Sequence, residues 1–340
     1  MRRGLLVAAL LASTSLVAAP ALANGYHFQR VATIPLPTKP GHGDIVTYDP
    51  MNGMVYVSLV DDGLAVVDTR TNKVVHDIKN IPSPNGNTAD ANYVYVAAAD
   101  GPGAGKVNAI VVISKKTWKE VGRVTTKGTS PDWIQVEGNR IYVDSDDANQ
   151  MEVYSTGEKP KLEHVWPLFP PNAKAGPDVA TVVPSKHVVF QSDDSFVEAV
   201  NTSTGKIDRH MDTGVKLLKH GGTKGEVYDA RHNRLWVATT NKTPGVFVLN
   251  PETLKVIKTI PEKGGVDQAA FDPKLGLFYT FEGGAHGFDV YNTNTMAHVA
   301  FVEAGGPAGP THTGDVDTKT HMVYAYDGSG PSLDVFKPVK

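Results

Sequence analysis

Cysteine is absent from the 340-residue chain. The sequence therefore excludes disulfides, thiol nucleophiles, thiolate metal ligands and covalently attached c-type haem. Long helical periodicity is also absent, since no long segment repeats its apolar residues at the spacing of an amphipathic helix. After the first 25 residues, no apolar run approaches the roughly 20 residues that cross a bilayer. We expect no membrane span in that part of the chain.

An excess of positive charge is missing as well. The chain has 33 basic and 36 acidic residues, and residues 1–23 contain two arginines and no acid. The remaining residues therefore carry a formal charge of −5. Sequence-independent binding of nucleic acid draws on lysine and arginine contacts to phosphate, so we do not expect a nucleic-acid partner.

The N-terminus has the pattern of a secretory signal peptide. Arg2 and Arg3 precede an apolar run that ends at Ala21-Leu22-Ala23, a small-x-small cleavage signature. The pattern predicts a cleaved signal peptide at 1–23, a mature domain at 24–340, and a periplasmic or secreted location. Without disulfides, a chain of this length must be stabilised by the burial of a large core.

The rest of the chain is a repeat that occurs seven times. Each copy has a short apolar segment with an aromatic residue at its third position, and successive aromatics are 39 to 48 residues apart. The seven aromatic residues are Tyr56, Tyr95, Tyr142, Phe190, Trp236, Tyr279 and Tyr324.

Each repeat predicts four short strands. A turn such as YDPMNG (48–53) precedes the aromatic segment, and segments such as LAVVDTRTNKVV (64–75) follow it. Four strands in a unit of this length indicate a blade, so the sequence predicts an all-β, seven-bladed β-propeller. The last repeat ends after its third strand, and FQRVATIP (28–35) resembles the fourth strands of the other repeats. This N-terminal segment is expected to complete the last blade and to cover its open edge.

The blades resemble those of the YVTN-repeat family of exported propellers. The Asp-Pro turns at Asp49-Pro50 and Asp272-Pro273 and the Tyr-Val strand ends carry the resemblance, but the family's Asn is replaced in every repeat. The resemblance implies the fold and an exported location but no single activity. Similar propellers include lactone hydrolases and the heavy chain of quinoprotein amine dehydrogenase.

Polar residues recur at the start of the first strand of each repeat, where a propeller lines its central channel. We expect these residues to meet at one mouth of the channel: Asp44, Asn85, Asp132, Asp178, Lys224, Asp267 and His312. His42 is an additional ligand-binding candidate, because it and His312 depart from the repeat consensus. The loops that join strands 2 and 3 are expected on the same face, and we place Asp144 and Asp193 among their acids.

Carboxylates without thiolates suit Ca²⁺ or Mg²⁺, and added imidazoles would also suit Mn²⁺ or Zn²⁺. The candidate metal ligands are Asp44, Asp132, Asp178, Asp267 and His312. The alternative is structural, since an aspartate that opens an inner strand can simply hydrogen-bond the backbone of the neighbouring blade. Histidines away from this face, among them His232, His298 and His321, are interpreted as surface residues.

Three functions remain open. The first is a periplasmic binding or scaffold protein, expected to be monomeric, that uses the channel face for a small ligand or a protein partner. The second is a divalent-cation-dependent hydrolase or lyase acting on a lactone or sugar acid. The third is an accessory subunit of a periplasmic redox enzyme, which would need a separate subunit for its chemistry. No catalytic residue is assigned, and the absence of a recognisable catalytic triplet favours the first.

Overall fold

The seven repeats form seven four-stranded antiparallel sheets in the computed structural model of the protein. The structure describes residues 25–41, 43–61, 63–100, 105–174, 176–242, 244–305 and 311–340, without the side chains of 218–220. Each sheet is one blade, and its innermost strand lines a central channel. The prediction of an all-β, seven-bladed β-propeller is therefore confirmed.

The described residues contain 28 strands and two short 3-10 helices. Strand β1 is His27–Pro35. Blades 1 to 3 consist of β2 Gly43–Asp49, β3 Met54–Leu59, β4 Gly63–Asp68 and β5 Lys73–Ile78; β6 Pro84–Ala89, β7 Tyr93–Ala99, β8 Asn108–Ser114 and β9 Lys119–Thr125; and β10 Pro131–Glu137, β11 Arg140–Ser145, β12 Gln150–Ser155 and β13 Leu162–Pro167. The 3-10 helices are Asp146–Ala148 in blade 3 and Pro184–Lys186 in blade 4.

The other blades follow the same order. They consist of β14 Pro177–Val183, β15 Val188–Asp193, β16 Phe196–Asn201 and β17 Ile207–Asp212; β18 Leu217–Asp229, β19 Arg234–Asn241, β20 Gly245–Leu249 and β21 Val256–Pro261; β22 Val266–Asp272, β23 Leu277–Glu282, β24 Gly287–Asn292 and β25 Ala297–Glu303; and β26 Gly314–Asp317, β27 Met322–Asp327 and β28 Ser332–Val339. No helix in the described ranges is long and apolar enough to span a bilayer.

The N-terminal strand closes the ring as predicted. β1 is the outer strand of blade 7 and pairs with β28, from His27 opposite Val339 to Pro35 opposite Ser332. The backbone edge of β28 is therefore paired inside the protein, which removes an open edge at the point where the ring begins and ends.

The core is divided among the boundaries between blades. Seven clusters of buried apolar side chains each contain residues of two neighbouring blades, one cluster for each boundary. The seven aromatic residues of the repeat all lie in the core, and the largest exposed fraction among them is the 4% of Tyr142. Because both faces of each blade pack against a neighbour, the second and third strands are almost continuously buried.

Candidate functional site

The first strands of six blades share an irregularity at the same position. In β2, Gly43 pairs with Leu59 and Val46 with Val57, so Asp44 and Ile45 together lie opposite the single residue Ser58. The corresponding step occurs in β6, β10, β14, β18 and β22. This is a β-bulge, a device that redirects side chains where a strand meets a functional surface.

The first residue of each bulge is a residue predicted for the channel mouth. These residues are Asp44, Asn85, Asp132, Asp178, Lys224 and Asp267. These six residues therefore occupy equivalent positions in their blades, as the alignment of the repeats predicts. His312 lies two residues before β26, is 7% exposed, and accepts a hydrogen bond from the Gln268 N–H at its backbone oxygen.

Five of the predicted residues line one cavity of about 190 Å³, which we call the mouth cavity. Its polar lining consists of Asp44, Asp132, Asp178, Lys224 and Asp267, and its apolar lining consists of Ile45, Trp133 and Val179. Asn85 is in register but is not part of this lining. His312 approaches the cavity through Asp267, with 3.9 Å between Nε2 and Oδ2. His42 lies outside the described residues.

Lys224 supplies an ammonium group inside the mouth cavity. Its Nζ donates a hydrogen bond to the Asp178 carboxylate and lies 3.7 Å from Asp267 Oδ1. Burial lowers the pKa of Lys224, but the carboxylates of Asp178 and Asp267 outweigh burial and raise it above its ordinary value. The lysine is therefore a cation throughout the neutral range.

The carboxyl groups facing this cation are difficult to ionise together. Burial, followed by repulsion from Asp146, Asp178 and Asp44, raises the pKa of Asp132 well above its ordinary value. Burial also raises the pKa of Asp178, and the contact with Lys224 offsets part of that rise. The mouth cavity thus holds more carboxyl groups than its one ammonium can neutralise.

Two further acids belong to this electrostatic group although they are not first-strand residues. Asp144 is fully buried in β11, and Asp146 begins the 3-10 helix that follows. Burial and repulsion from Asp178 and Asp144 raise the pKa of Asp146 to about 8. The placement of Asp144 and Asp193 in surface loops was wrong, because both lie in second strands and are 0% exposed.

Residues three positions further along the first strands make backbone contacts between neighbouring blades, the kind of contact considered above for the aspartates. The Thr47 hydroxyl donates to the Asn87 carbonyl, and the Thr181 hydroxyl donates to the Glu226 carbonyl. Side chains at the same position accept backbone N–H groups of the next blade: Thr88 from Val136, Gln135 from Val182, and Asp315 from Tyr48. We call this set of contacts the channel belt.

Blades 5 and 6 have Val227 and Ala270 at the belt position. In blade 6, Gln268 provides a substitute, because its amide bonds both backbone groups of Val46 and the N–H of Gly314. The belt contacts lie along a second cavity of about 470 Å³, which is lined by first-strand residues of all seven blades. The channel belt and the mouth cavity therefore use different residues of the same strands.

Within the described ranges, no three His, Asp or Glu side chains are arranged around a common point as metal ligands. Two of the carboxylates that line the cavity, those of Asp178 and Asp267, contact the ammonium group of Lys224. A divalent cation bound by Asp44, Asp132, Asp178, Asp267 and His312 stays a prediction.

Known proteins share this fold at low sequence identity. A chain of hydrazine synthase from Kuenenia stuttgartiensis is similar with a TM-score of 0.71 and 15% identity, over 87% of this chain and 95% of that one. The β-propeller domain of Cps50 (Swd1) from Myceliophteria thermophila is similar with a TM-score of 0.70 and 10% identity, over 91% of this chain and 99% of that one. No protein-family model matches the sequence, and no curated protein is significantly similar to it. The similarities support the propeller fold.

Proposed function

We propose that this protein is an exported, periplasmic binding protein whose mouth cavity holds a positively charged group of a small ligand or of a partner protein. The observation that carries the proposal is the convergence of four bulge aspartates on one cavity that contains a single lysine. With all five groups ionised, the lining has a charge of −3, so a cation is the complementary ligand.

The contact between Lys224 and its two carboxylate neighbours supports an ammonium group as the bound cation. An alkylammonium ion donates three hydrogen bonds and has an apolar stem. Asp44 and Asp132 can provide carboxylate acceptors, and Ile45, Trp133 and Val179 can contact the stem. A cation placed there favours the ionised form of Asp132, whose pKa is raised in the protein alone.

The exported location is part of the same proposal. It rests on the Arg2-Arg3 and Ala21-Leu22-Ala23 pattern, which lies outside the described residues, and N-terminal sequencing of protein from a periplasmic fraction tests it. The relationship to the YVTN-repeat family also stays a prediction, based on the Asp-Pro turns and the aromatic strands.

Calorimetric titration of the mature protein tests the binding function. The probes are 1,4-diaminobutane and CaCl₂, with succinate as an anionic comparison. We expect cation binding that falls at least about tenfold in Asp132→Asn, since a charge-assisted contact is lost. The matched control is Asp208→Asn, which makes the same chemical change in the outer strand β17. Equal affinities in wild type and Asp132→Asn, or no binding of either cation at millimolar concentrations, would contradict the proposal.

A second candidate is a divalent-cation-dependent hydrolase of a lactone or sugar acid. The observation that favours it is the proximity of His312 to Asp267 at the mouth cavity, since an imidazole beside a carboxylate can act as a general base. Elemental analysis of protein purified without affinity-tag metal tests it, and a stoichiometric divalent ion would favour this candidate. The accessory redox subunit stays a prediction, because the likeness to hydrazine synthase at 15% identity concerns the fold.

A further inference from the structure

Two fully buried polar side chains lie behind the mouth cavity, on the second strands of blades 3 and 4. They are Asp144 in β11 of blade 3 and Gln191 in β15 of blade 4, and both are 0% exposed. We propose that Asp144 and Gln191 are positioning residues that hold the Asp132 and Asp178 carboxylates at a fixed separation and thereby set the affinity for the bound cation. This inference rests on the proposed binding function.

Asp144 holds the bulge of blade 3. Its Oδ1 accepts the backbone N–H of Trp133 at 2.9 Å, and Trp133 is the second bulge residue, directly after Asp132. Bulge residues lie outside the regular pairing of the two strands. The Asp144 carboxylate thus fixes the segment of backbone that carries the Asp132 side chain.

Gln191 holds the bulge of blade 4. Its Nε2 donates to the backbone oxygen of Asp178 at 2.7 Å, and it lies 2.9 Å from the backbone oxygen of Ser192 and 3.3 Å from Asp144 Oδ2. Hydrogen bonds therefore run from the Trp133 N–H through Asp144 and Gln191 to the Asp178 carbonyl. This chain crosses the boundary between blades 3 and 4 and links the two bulges.

The bulge needs neither residue, because blades 1, 2, 5 and 6 make the same bulge with other residues at both positions. At the position of Asp144, the other repeats have Ser58, Ala97, Ser192, Ala238, Phe281 and Tyr326. At the position of Gln191, they have Val57, Val96, Val143, Val237, Thr280 and Ala325. The buried acid and the buried amide thus occur together at one boundary, between the bulges that carry Asp132 and Asp178.

A fixed separation matters because a bound cation must contact both carboxylates while they repel each other. Carboxylates held in place before binding lose little freedom when the cation arrives, so the affinity is higher than for mobile ones. Without Asp144 and Gln191, the bulges can move apart and relieve the repulsion, and the cation must then draw them together.

The test uses substitutions that other blades already carry, Asp144→Ser and Gln191→Val, in the mature protein. Titrations with 1,4-diaminobutane and CaCl₂ are compared with thermal unfolding of the same variants. We expect each substitution to lower cation affinity about tenfold, as is typical when the partners of a ligating group are removed. The melting temperature should change little, because the fold tolerates Ser and Val at these positions. Ser58→Ala, at the aligned position in blade 1, is the matched control and should bind like the wild type.

A double-substitution cycle distinguishes positioning from general stabilisation. If Asp144 acts through Asp132, Asp144→Ser should have little further effect on affinity in the Asp132→Asn background. Full affinity in both single variants, or variants that both fail to fold, would assign the pair a purely structural role and overturn the inference. A loss of affinity in Asp132→Asn without a loss in the positioning variants would overturn it while the binding function stands. Binding that is insensitive to Asp132→Asn would overturn both.

Discussion

His321 of blade 7 holds the buried Asp272 of blade 6, with 2.5 Å between Nδ1 and Oδ2. The other oxygen of Asp272 accepts the backbone N–H groups of Lys274 and Leu275, so one carboxylate joins its own turn to the next blade. Lys115 makes a comparable contact with Asp49 between blades 2 and 1, at 2.5 Å. The face opposite the mouth cavity is therefore stabilised by side-chain contacts between consecutive blades.

Replacement of His321 by Phe should lower the free energy of unfolding by about 1–3 kcal/mol. The ring volume is retained, but a buried oxygen of Asp272 loses its partner, and such a loss typically costs this much. Urea denaturation followed by circular dichroism measures the change. His27→Phe, at an exposed position in β1, is the control and should be close to neutral; equal stabilities of the two variants would show that the contact contributes nothing.

Replacement of Gln268 by Met should destabilise the ring by about 2–4 kcal/mol. The Gln268 side chain of blade 6 forms hydrogen bonds with the backbone of blades 7 and 1, and the substitution leaves these buried backbone groups unpaired. Gln135→Met is the comparison, since the Gln135 side chain accepts a single bond from Val182 and its loss should cost less. Chemical denaturation of both variants tests the order, and an effect of Gln135→Met equal to or larger than that of Gln268→Met would contradict it.

The stability of the protein should fall as the pH rises from about 4 to about 8. The pKa of Asp146 is raised to about 8 in the folded chain, so the folded state binds more protons than the unfolded state in this interval. Asp146→Asn should make the pH dependence shallower and increase stability at pH 8, as measured by urea unfolding at several pH values. Asp208→Asn is the control, and an unchanged slope in Asp146→Asn would refute the assignment.

Cation affinity should increase as the pH rises from about 4 to about 8. This trend is opposite to that of the stability. The carboxyl groups of the mouth cavity must lose their protons before they attract a cation, and burial raises the pKa values of Asp132 and Asp178 in its lining and of the neighbouring Asp146. Titrations with 1,4-diaminobutane at pH 6 and pH 8 measure the trend. Affinity that is independent of pH would place the bound cation elsewhere on the protein.

Removal of residues 25–36 should prevent formation of a stable monomer, because it exposes the full edge of β28. Gel filtration and circular dichroism would detect aggregation or lost structure. A synthetic peptide of residues 25–37 should restore the monomer by adding the missing strand, whereas the same peptide with Ala32→Pro and Ile34→Pro should not. A stable monomer without any peptide would show that β1 is dispensable.

The ring and its mouth could be predicted because they depend on local and repeated features. The aromatic positions from Tyr56 to Tyr324 recur with the period of a blade, and a strand pattern is visible in each copy. Alignment of the repeats then places Asp44, Asp132, Asp178 and Asp267 at equivalent positions without knowledge of their distances. The closure by β1 follows from the same comparison.

The contacts between side chains could not be predicted, since they depend on distances across the channel and between blades. The sequence does not indicate that Lys224 bonds Asp178 or that Gln268 reaches Val46. His232, His298 and His321 are interpreted from the sequence as surface residues. His298 is exposed and His232 and His321 are partly buried, and each of the three pairs with a buried aspartate. The burial of Asp144 does have a signal in the sequence, because this acid is aligned with small and aromatic residues in the other repeats.

The pairing of His27 with Val339 also determines when the ring can be completed. β1 is made before the other strands and its partner β28 after them, so β1 has no partner until the seventh blade has been synthesised. A nascent chain can assemble its early blades in order, but the last sheet forms only when β1 and β28 are both present. Closure of the propeller therefore distinguishes chains that contain β28 from chains terminated before it, in which β1 stays unpaired.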